Sequence, residues 1–287
     1  MFSAPLRRPK LPFHPCVHEG AHHKIARLHL PVAPACNLHC IYCTRSIGPE
    51  NPETMAAGGP GKASCLLSPE AALKKTADFI ATWGRESVIG IAGPGDPLAN
   101  PETFITLAAI RRRFPEARLC LCTNGLALPE NLDTLLRLGL EHLSITINAV
   151  DPVITAKIQP WILDGKEKIR GEEGAGILLD RQLWGLKEAV YAGMFVKINT
   201  VVVPGINDEH IPEIAARVAA LGAGILNPMP LIPNGATAHM APPSAKKMAA
   251  LHETCAPLLP TFRRCRQCRA DAEGIPGKEN ISCRKTA

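Results

Sequence analysis

CNLHCIYC, residues 36–43, holds three cysteines in a C-x3-C-x2-C spacing, at Cys36, Cys40 and Cys43. The stretch before it, ARLHLPVAP (26–34), mixes branched and apolar residues and reads as a strand running into a loop. Three thiolates on one short loop can hold three corners of a cubane iron–sulfur cluster, which takes soft sulfur ligands. The fourth iron then has no protein ligand from this loop and stays open to another molecule. Tyr42, just before the third cysteine, offers a flat apolar face beside that iron. A zinc site is the competing reading; it wants a fourth Cys or His, and His39 could serve.

Outward from the loop, strands and helices alternate. A Gly/Pro-rich loop (46–64) leads to Cys65. Ser68 then caps a helix with Pro69 and Glu70 in its first turn, running to about Trp83 and ended by Gly84. The apolar strand SVIGIAG (87–93) follows, and then PGDPLANPE (94–102). Gly93, Pro94 and Gly95 let backbone groups approach a ligand closely, and Asp96 adds an acceptor for an ammonium. Helix 103–113, strand 117–125, helix 131–138 and strand 142–150 come next. After an excursion (151–177) come helix 178–192, strand 194–205, helix 210–221 and strand 224–232. Six strands at this spacing imply right-handed crossovers and a parallel sheet. The class is α/β, an open or partial β/α barrel, with functional residues at the C-terminal ends of the strands. The candidates there are the triplet, Gly93–Asp96, Cys120 to Asn124, Thr146, Asn148, Lys197 and Asn199. Asn148 and Asn199 can hydrogen-bond a ribose or a carboxylate, or cap their own strands. Cys120 and Cys122 share one strand face; packing in the core competes with ligation for both.

The chain has 287 residues, 46% hydrophobic and 4% aromatic, enough to bury a full core. Its net charge of +6 is spread, with a denser patch at RRCRQCR (263–269). Apart from Phe262 no aromatic residue interleaves that patch, which argues against nucleic-acid binding. The N-terminus lacks a signal-peptide apolar core, and no run approaches membrane-span length, so a cytoplasmic location is expected. Eleven cysteines in a reducing compartment point to metal binding rather than disulfides.

The two ends carry the remaining candidates. Residues 1–25, rich in proline, read as an extended arm holding Cys16, His22 and His23, with His14 and His18 beside them. After a linker-like loop (231–244) and a helix (245–256) bearing Cys255, CRQC places Cys265 and Cys268 at metal-ligand spacing. Cys283 falls in a polar tail. Beyond the triplet, then, Cys16, the His22/His23 pair, Cys65, Cys120, Cys265 and Cys268 could hold two further clusters by about three corners each. The expected divisions are an arm (1–25), a barrel (26–232) and a C-terminal extension (233–287).

The triplet, with an aromatic before its last Cys, resembles the radical S-adenosylmethionine (SAM) enzymes. HPC-x5-HH, LHLPVAPACNLHCIYCTR, GIAGPGDPLANPETF, LCLCTNGLALPE, ITINAVDP, KINTVVVPGINDEH and CRQCRADAEG together closely resemble the NifB family of nitrogenase cofactor biosynthesis proteins, over about residues 14–275. The resemblance implies that Cys36, Cys40 and Cys43 hold the SAM-cleaving 4Fe–4S cluster within a radical SAM partial barrel, with the Gly93–Asp96 loop binding the SAM amino group. It implies that two auxiliary 4Fe–4S clusters, on Cys16, His22/His23, Cys120, Cys265 and Cys268, are fused into an 8Fe–9S–carbide precursor. One SAM gives a methyl group; a second is cleaved to a 5′-deoxyadenosyl radical that takes a hydrogen from it; a further sulfur is added. Implied partners are iron–sulfur cluster donors, a cofactor carrier or nitrogenase maturation scaffold, and an electron donor such as ferredoxin, around a monomer without nucleic acid or membrane. The family's further ligand Cys is absent near Pro49, where Cys65 is the expected spatial substitute. A C-terminal NifX-like domain is also absent, and Cys122, Cys255 and Cys283 have no role the resemblance assigns. The alternatives are another radical SAM maturase, such as a peptide modifier, and a non-enzymatic cluster scaffold or carrier.

Overall fold

The computed structural model describes residues 10–48, 59, 61–278 and 280–281. Six parallel strands form the frame: β1 (Arg27–His29), β2 (Val88–Ile91), β3 (Arg118–Thr123), β4 (His142–Thr146), β5 (Phe195–Val202) and β6 (Ile225–Pro230). They lie in the sheet in sequence order, each beside its predecessor. Helices α1 (Pro69–Trp83), α2 (Pro101–Arg113), α3 (Leu128–Arg137), α4 (Gly171–Tyr191) and α5 (Ile211–Ala220) make the successive crossovers. This is the expected partial β/α barrel, and the six strands fall within the ranges read from sequence. Ser68 caps α1 by accepting from the Ala71 amide, with Pro69 opening the helix and Gly84 ending it.

Alternation along the strands separates two faces. Leu119 and Leu121 on β3, Leu143 and Ile145 on β4, and Val196 and Ile198 on β5 join Phe79, Leu107, Leu132, Leu186 and Ile214 of the helices in one apolar core. The opposite face carries Cys120 and Cys122, His142, Ser144 and Thr146, and Lys197 and Asn199, all lining a cavity inside the half-barrel. Hydrophobic burial is thus concentrated outside the sheet, and the inner face is left to polar and sulfur groups.

Four local expectations change. The N-terminal arm contains a one-turn helix, Glu19–His22, because His18 Nδ1 accepts from the Gly20 and Ala21 amides. The excursion after β4 is ordered as a helix (Pro152–Ile158) and a hairpin (Trp161–Asp164 with Glu167–Arg170). Helix α4 begins at Gly171 rather than 178; its glycines hide the pattern, while Glu172 and Glu173 suit its N-terminal dipole. The C-terminal segment, read as a polar tail, forms β7 (Ala272–Gly274) antiparallel to β1, with Asn280–Ile281 beyond it. It covers a sheet edge that would otherwise leave backbone groups unpaired. The α6 helix (Ala245–Cys255) matches its reading and buries Cys255 in the main core. Pro49 and Cys283 lie outside the described residues.

Candidate functional site

The triplet loop is held from several sides by main chain. Leu38 and His39 pair antiparallel with Ile162 and Trp161, and the Leu163 amide donates to the Asn37 carbonyl at 2.7 Å. Ile41 donates to the Ile158 carbonyl (3.0 Å) and accepts from the Ala236 amide (2.9 Å), and the Cys43 amide closes a turn onto Cys40. Behind Cys36 stands the loop after β2, with a cis Gly93–Pro94 bond. Its Gly95 and Asp96 amides donate to the Ala33 and Ala35 carbonyls at 2.6 and 2.8 Å. Asn100 clasps Ala35 from both sides, its Oδ1 accepting from the amide and its Nδ2 donating to the carbonyl. Asn124 Nδ2 reaches the Asn37 side chain at 2.7 Å.

The Cys36, Cys40 and Cys43 sulfurs are all free. Burial pushes the Cys36 thiol up to about 11 and also raises Cys40 and Cys43, and Cys40 is raised further by its two neighbours. Three thiolates gathered out of water repel one another unless a cation accepts them, so the donor set suits an iron–sulfur cluster. His39, the fourth ligand a zinc site would need, instead stacks flat on Trp161 with centroids 5.5 Å apart, and Lys168 lies over the same ring. Among the described residues no three His, Cys, Asp or Glu converge as ligands of a single ion.

The expected SAM-binding side chains are already engaged. The buried Asp96 carboxylate accepts from the Leu98 and Asn124 amides and the Thr123 hydroxyl, which fixes the loop to the end of β3. Both Asp96 oxygens thus meet donors from within the protein. Asn148 Nδ2 donates to the Tyr42 hydroxyl at 2.9 Å, and its Oδ1 accepts from the Val201 amide. Asn148 therefore orients Tyr42 rather than offering a free group. Asn199 Oδ1 accepts from Asn227, and its Nδ2 points at Cys122.

The cavity inside the half-barrel has a volume of about 180 Å³. It brings together Cys16 of the arm, Cys120 and Cys122 of β3, and Cys265 and Cys268 of the C-terminal segment, while Tyr42 from the triplet loop forms part of its wall. Cys120 sits midway along β3, inside the barrel and not at its mouth as expected. Gly90 makes room for it, since a Cβ there would come 2.7 Å from its sulfur. Burial raises Cys120 and pushes Cys268 up to about 11, against the nearby Arg27 guanidinium, which donates to the Cys268 sulfur at 2.6 Å.

The His22/His23 pair divides. His23 is exposed. His22 is buried, and its Nδ1 is 2.9 Å from the Pro15 carbonyl, which leaves Nε2 as its ligating nitrogen. Cys65 is disulfide-bonded, so its sulfur is not presented as a thiolate ligand. Sequence reading missed His29, His142 and Arg27, which line or clasp the cavity together with His14. The signal was present: polar residues recur at alternate positions of otherwise apolar strands.

A family model described as the Radical SAM superfamily matches residues 30–218. The chain belongs to the radical SAM superfamily. The NifB proteins of Bradyrhizobium diazoefficiens and Klebsiella pneumoniae, both named FeMo cofactor biosynthesis proteins, are 45% and 44% identical to it over 93% and 96% of its length. The chain spans 54% and 59% of those relatives. In shape this radical SAM chain is similar to Streptococcus suis SuiB bound to its precursor peptide SuiA, with a TM-score of 0.60 and 14% identity, over 85% of this chain and 50% of that one. A radical SAM methyltransferase from Sphaerobacter thermophilus gives a TM-score of 0.53 and 18% identity, over 83% and 64%. Both likenesses concern the fold.

Proposed function

We propose that this radical SAM chain acts as the NifB proteins are named to act, in nitrogenase cofactor assembly: a maturase that joins two 4Fe–4S clusters, a SAM-derived carbon and an extra sulfur into an 8Fe–9S–carbide precursor. One observation carries the reading. Five cysteines besides the triplet line one barrel cavity, and Tyr42 of the triplet loop forms part of its wall. An ordinary radical SAM enzyme needs the triplet alone, and a carrier needs neither the triplet nor the barrel.

When bound on Cys36, Cys40 and Cys43, a 4Fe–4S cluster would supply an open iron for SAM and the electron for its cleavage. The protein's part is positional. The Gly95, Asp96 and Asn100 contacts fix Cys36, and Asn148 fixes Tyr42 against the loop. Cys16, His22, Cys120, Cys265 and Cys268 would hold the two substrate clusters where the barrel wall excludes water. A donor weaker and more protonatable than thiolate, such as His22, favours letting the product go. The same reading implies a monomer in the cytoplasm served by cluster donors, an electron donor such as ferredoxin, and a cofactor carrier or nitrogenase maturation scaffold. No helix of the described residues is long and apolar enough to cross a membrane.

The test is iron and acid-labile sulfide per chain after anaerobic reconstitution, before and after SAM with a reductant. About twelve irons, the content of three cubane clusters, with 5′-deoxyadenosine formed and the cluster spectrum changed, support the reading. About four irons, all lost with the triplet, reduce the protein to a single-cluster radical SAM enzyme.

A further inference from the structure

Two cubane groups held by three protein donors each need six donors. Five are already named: Cys16, His22, Cys120, Cys265 and Cys268. Cys65, expected from sequence as the sixth, is tied up in a disulfide. The cavity contains one more sulfur, Cys122, which is free and next but one to Cys120 on the inward face of β3. Two strand rises, about 6.6 Å, separate the two residues, so both thiols reach the same volume.

The surroundings of Cys122 are those of an acceptor. Asn199 Nδ2 lies 3.4 Å from its sulfur, held there by the 2.8 Å bond from Asn227 to Asn199 Oδ1. The Thr146 hydroxyl also reaches the sulfur. Lys197, on the same face of β5 as Asn199, has a buried ammonium that donates to the Cys16 carbonyl at 3.1 Å. Among the described residues it meets no carboxylate. A buried ammonium without an anion is costly, and Lys197 lines the same cavity as Cys120 and Cys122. A cysteine that merely packs needs neither two hydrogen-bond donors nor a buried cation beside it; a thiolate bound to iron is served by all three.

We propose that Cys122 is the sixth donor, ligating the same auxiliary cluster as Cys120, and that Cys65 ligates none. The assignment rests on the maturase reading above. On ligation the Cys122 S–H bond breaks, its proton goes to solvent and its sulfur pair forms the bond to iron, with no net electron transfer.

The experiment reconstitutes the full chain and its Cys122→Ala, Cys122→Ser and Cys65→Ala variants anaerobically. It measures iron, labile sulfide and the paramagnetic resonance of the reduced clusters. With about twelve irons in the parent, both Cys122 variants should lose up to a third of the iron and change the auxiliary signal, while the SAM-responsive triplet signal persists. Cys65→Ala should keep the full complement. Full iron and an unchanged spectrum in both Cys122 variants overturn the proposal, as does loss of a cluster in Cys65→Ala. Loss of the triplet signal along with the rest in both Cys122 variants also overturns it, because Cys122 is then a packing residue. If the parent itself holds only about four irons, the maturase reading fails, and this assignment with it.

Discussion

Gly95 packs against the backbone of Pro34 and Ala35 at the entry to the triplet loop, and Gly95→Ala tests whether that contact holds the cluster loop. A methyl group there would overlap the Ala35 carbonyl and come 2.8 Å from the Pro34 oxygen. Gly95 does not have a positive φ, so the cost is purely steric. An ordinary C···O separation is about 3.3 Å, and reaching it pulls the loop beyond the slack of the bonds from Gly95 to Ala33 and from Asp96 to Ala35. Two backbone hydrogen bonds at about 1 kcal/mol each, with a further share from the Asn100 clasp, give a loss of ~3 kcal/mol. At about 2–4 °C per kcal/mol the melting temperature falls by ~6–12 °C. Cys36 moves with Ala35, so triplet iron and SAM-dependent 5′-deoxyadenosine should fall together. Gly176→Ala on α4 is the control, because nothing lies within 4 Å of the added Cβ, and it should be neutral or stabilising by up to about 1 kcal/mol. A Gly95→Ala protein that melts within about 2 °C of its parent and keeps its triplet iron would refute the reasoning.

Gly90→Ala should displace Cys120, whose sulfur lies 2.7 Å from the added Cβ; iron analysis should show an auxiliary loss with the triplet intact. His22→Ala should lower reconstituted iron and His23→Ala should not, since only His22 is buried with one nitrogen fixed; equal losses would sink the choice between them. Burial pushes the Asp96 carboxyl from its ordinary 3.8 up to about 6, so the folded apo chain holds this proton where the unfolded chain has lost it. Its contribution to stability is therefore full below about pH 4 and falls by ~3 kcal/mol as pH rises to about 6. Urea unfolding of the parent and of Asp96→Asn at pH 4, 5 and 6 should show their stability difference shifting by that amount; a difference flat with pH contradicts it.

The barrel was legible because its cues are local. Strand–helix alternation over 87–232, with Ser68, Pro69 and Gly84 as helix boundaries, survives into the structure with small end shifts. The triplet was legible because its three sulfurs lie within eight residues. Other features were not, for identifiable reasons. Asp96 looks like a free acceptor in sequence, and only tertiary contact brings Thr123 and Asn124 to it. Residues 272–274 look polar, and pairing with β1 overrides that preference. The inward row of His142, Ser144 and Thr146 beside Lys197 and Asn199 was readable as alternation, but which face turned inward depended on sheet closure.

The two kinds of ligand site are built in different ways. The triplet comes from one loop, and main-chain bonds from neighbouring segments brace it. The proposed auxiliary donors come from the arm, β3 and the C-terminal segment, and the barrel reaches out to the backbone of the two outer segments. Lys197 donates to the Cys16 carbonyl, His29 Nδ1 lies 2.9 Å from the Arg269 carbonyl, and Arg27 donates to the Gly274 carbonyl as well as to Cys268. Buried Arg269 pairs with Asp271, and that pair binds Ser64, so the C-terminal segment is also fastened to the loop leading into α1. Each of these bonds is worth about 1–3 kcal/mol when charged, and each ties one outer segment to the barrel separately from the bonds that brace the triplet loop. The proposed maturase would need that difference, since it would keep its SAM site and part with the cluster it had built.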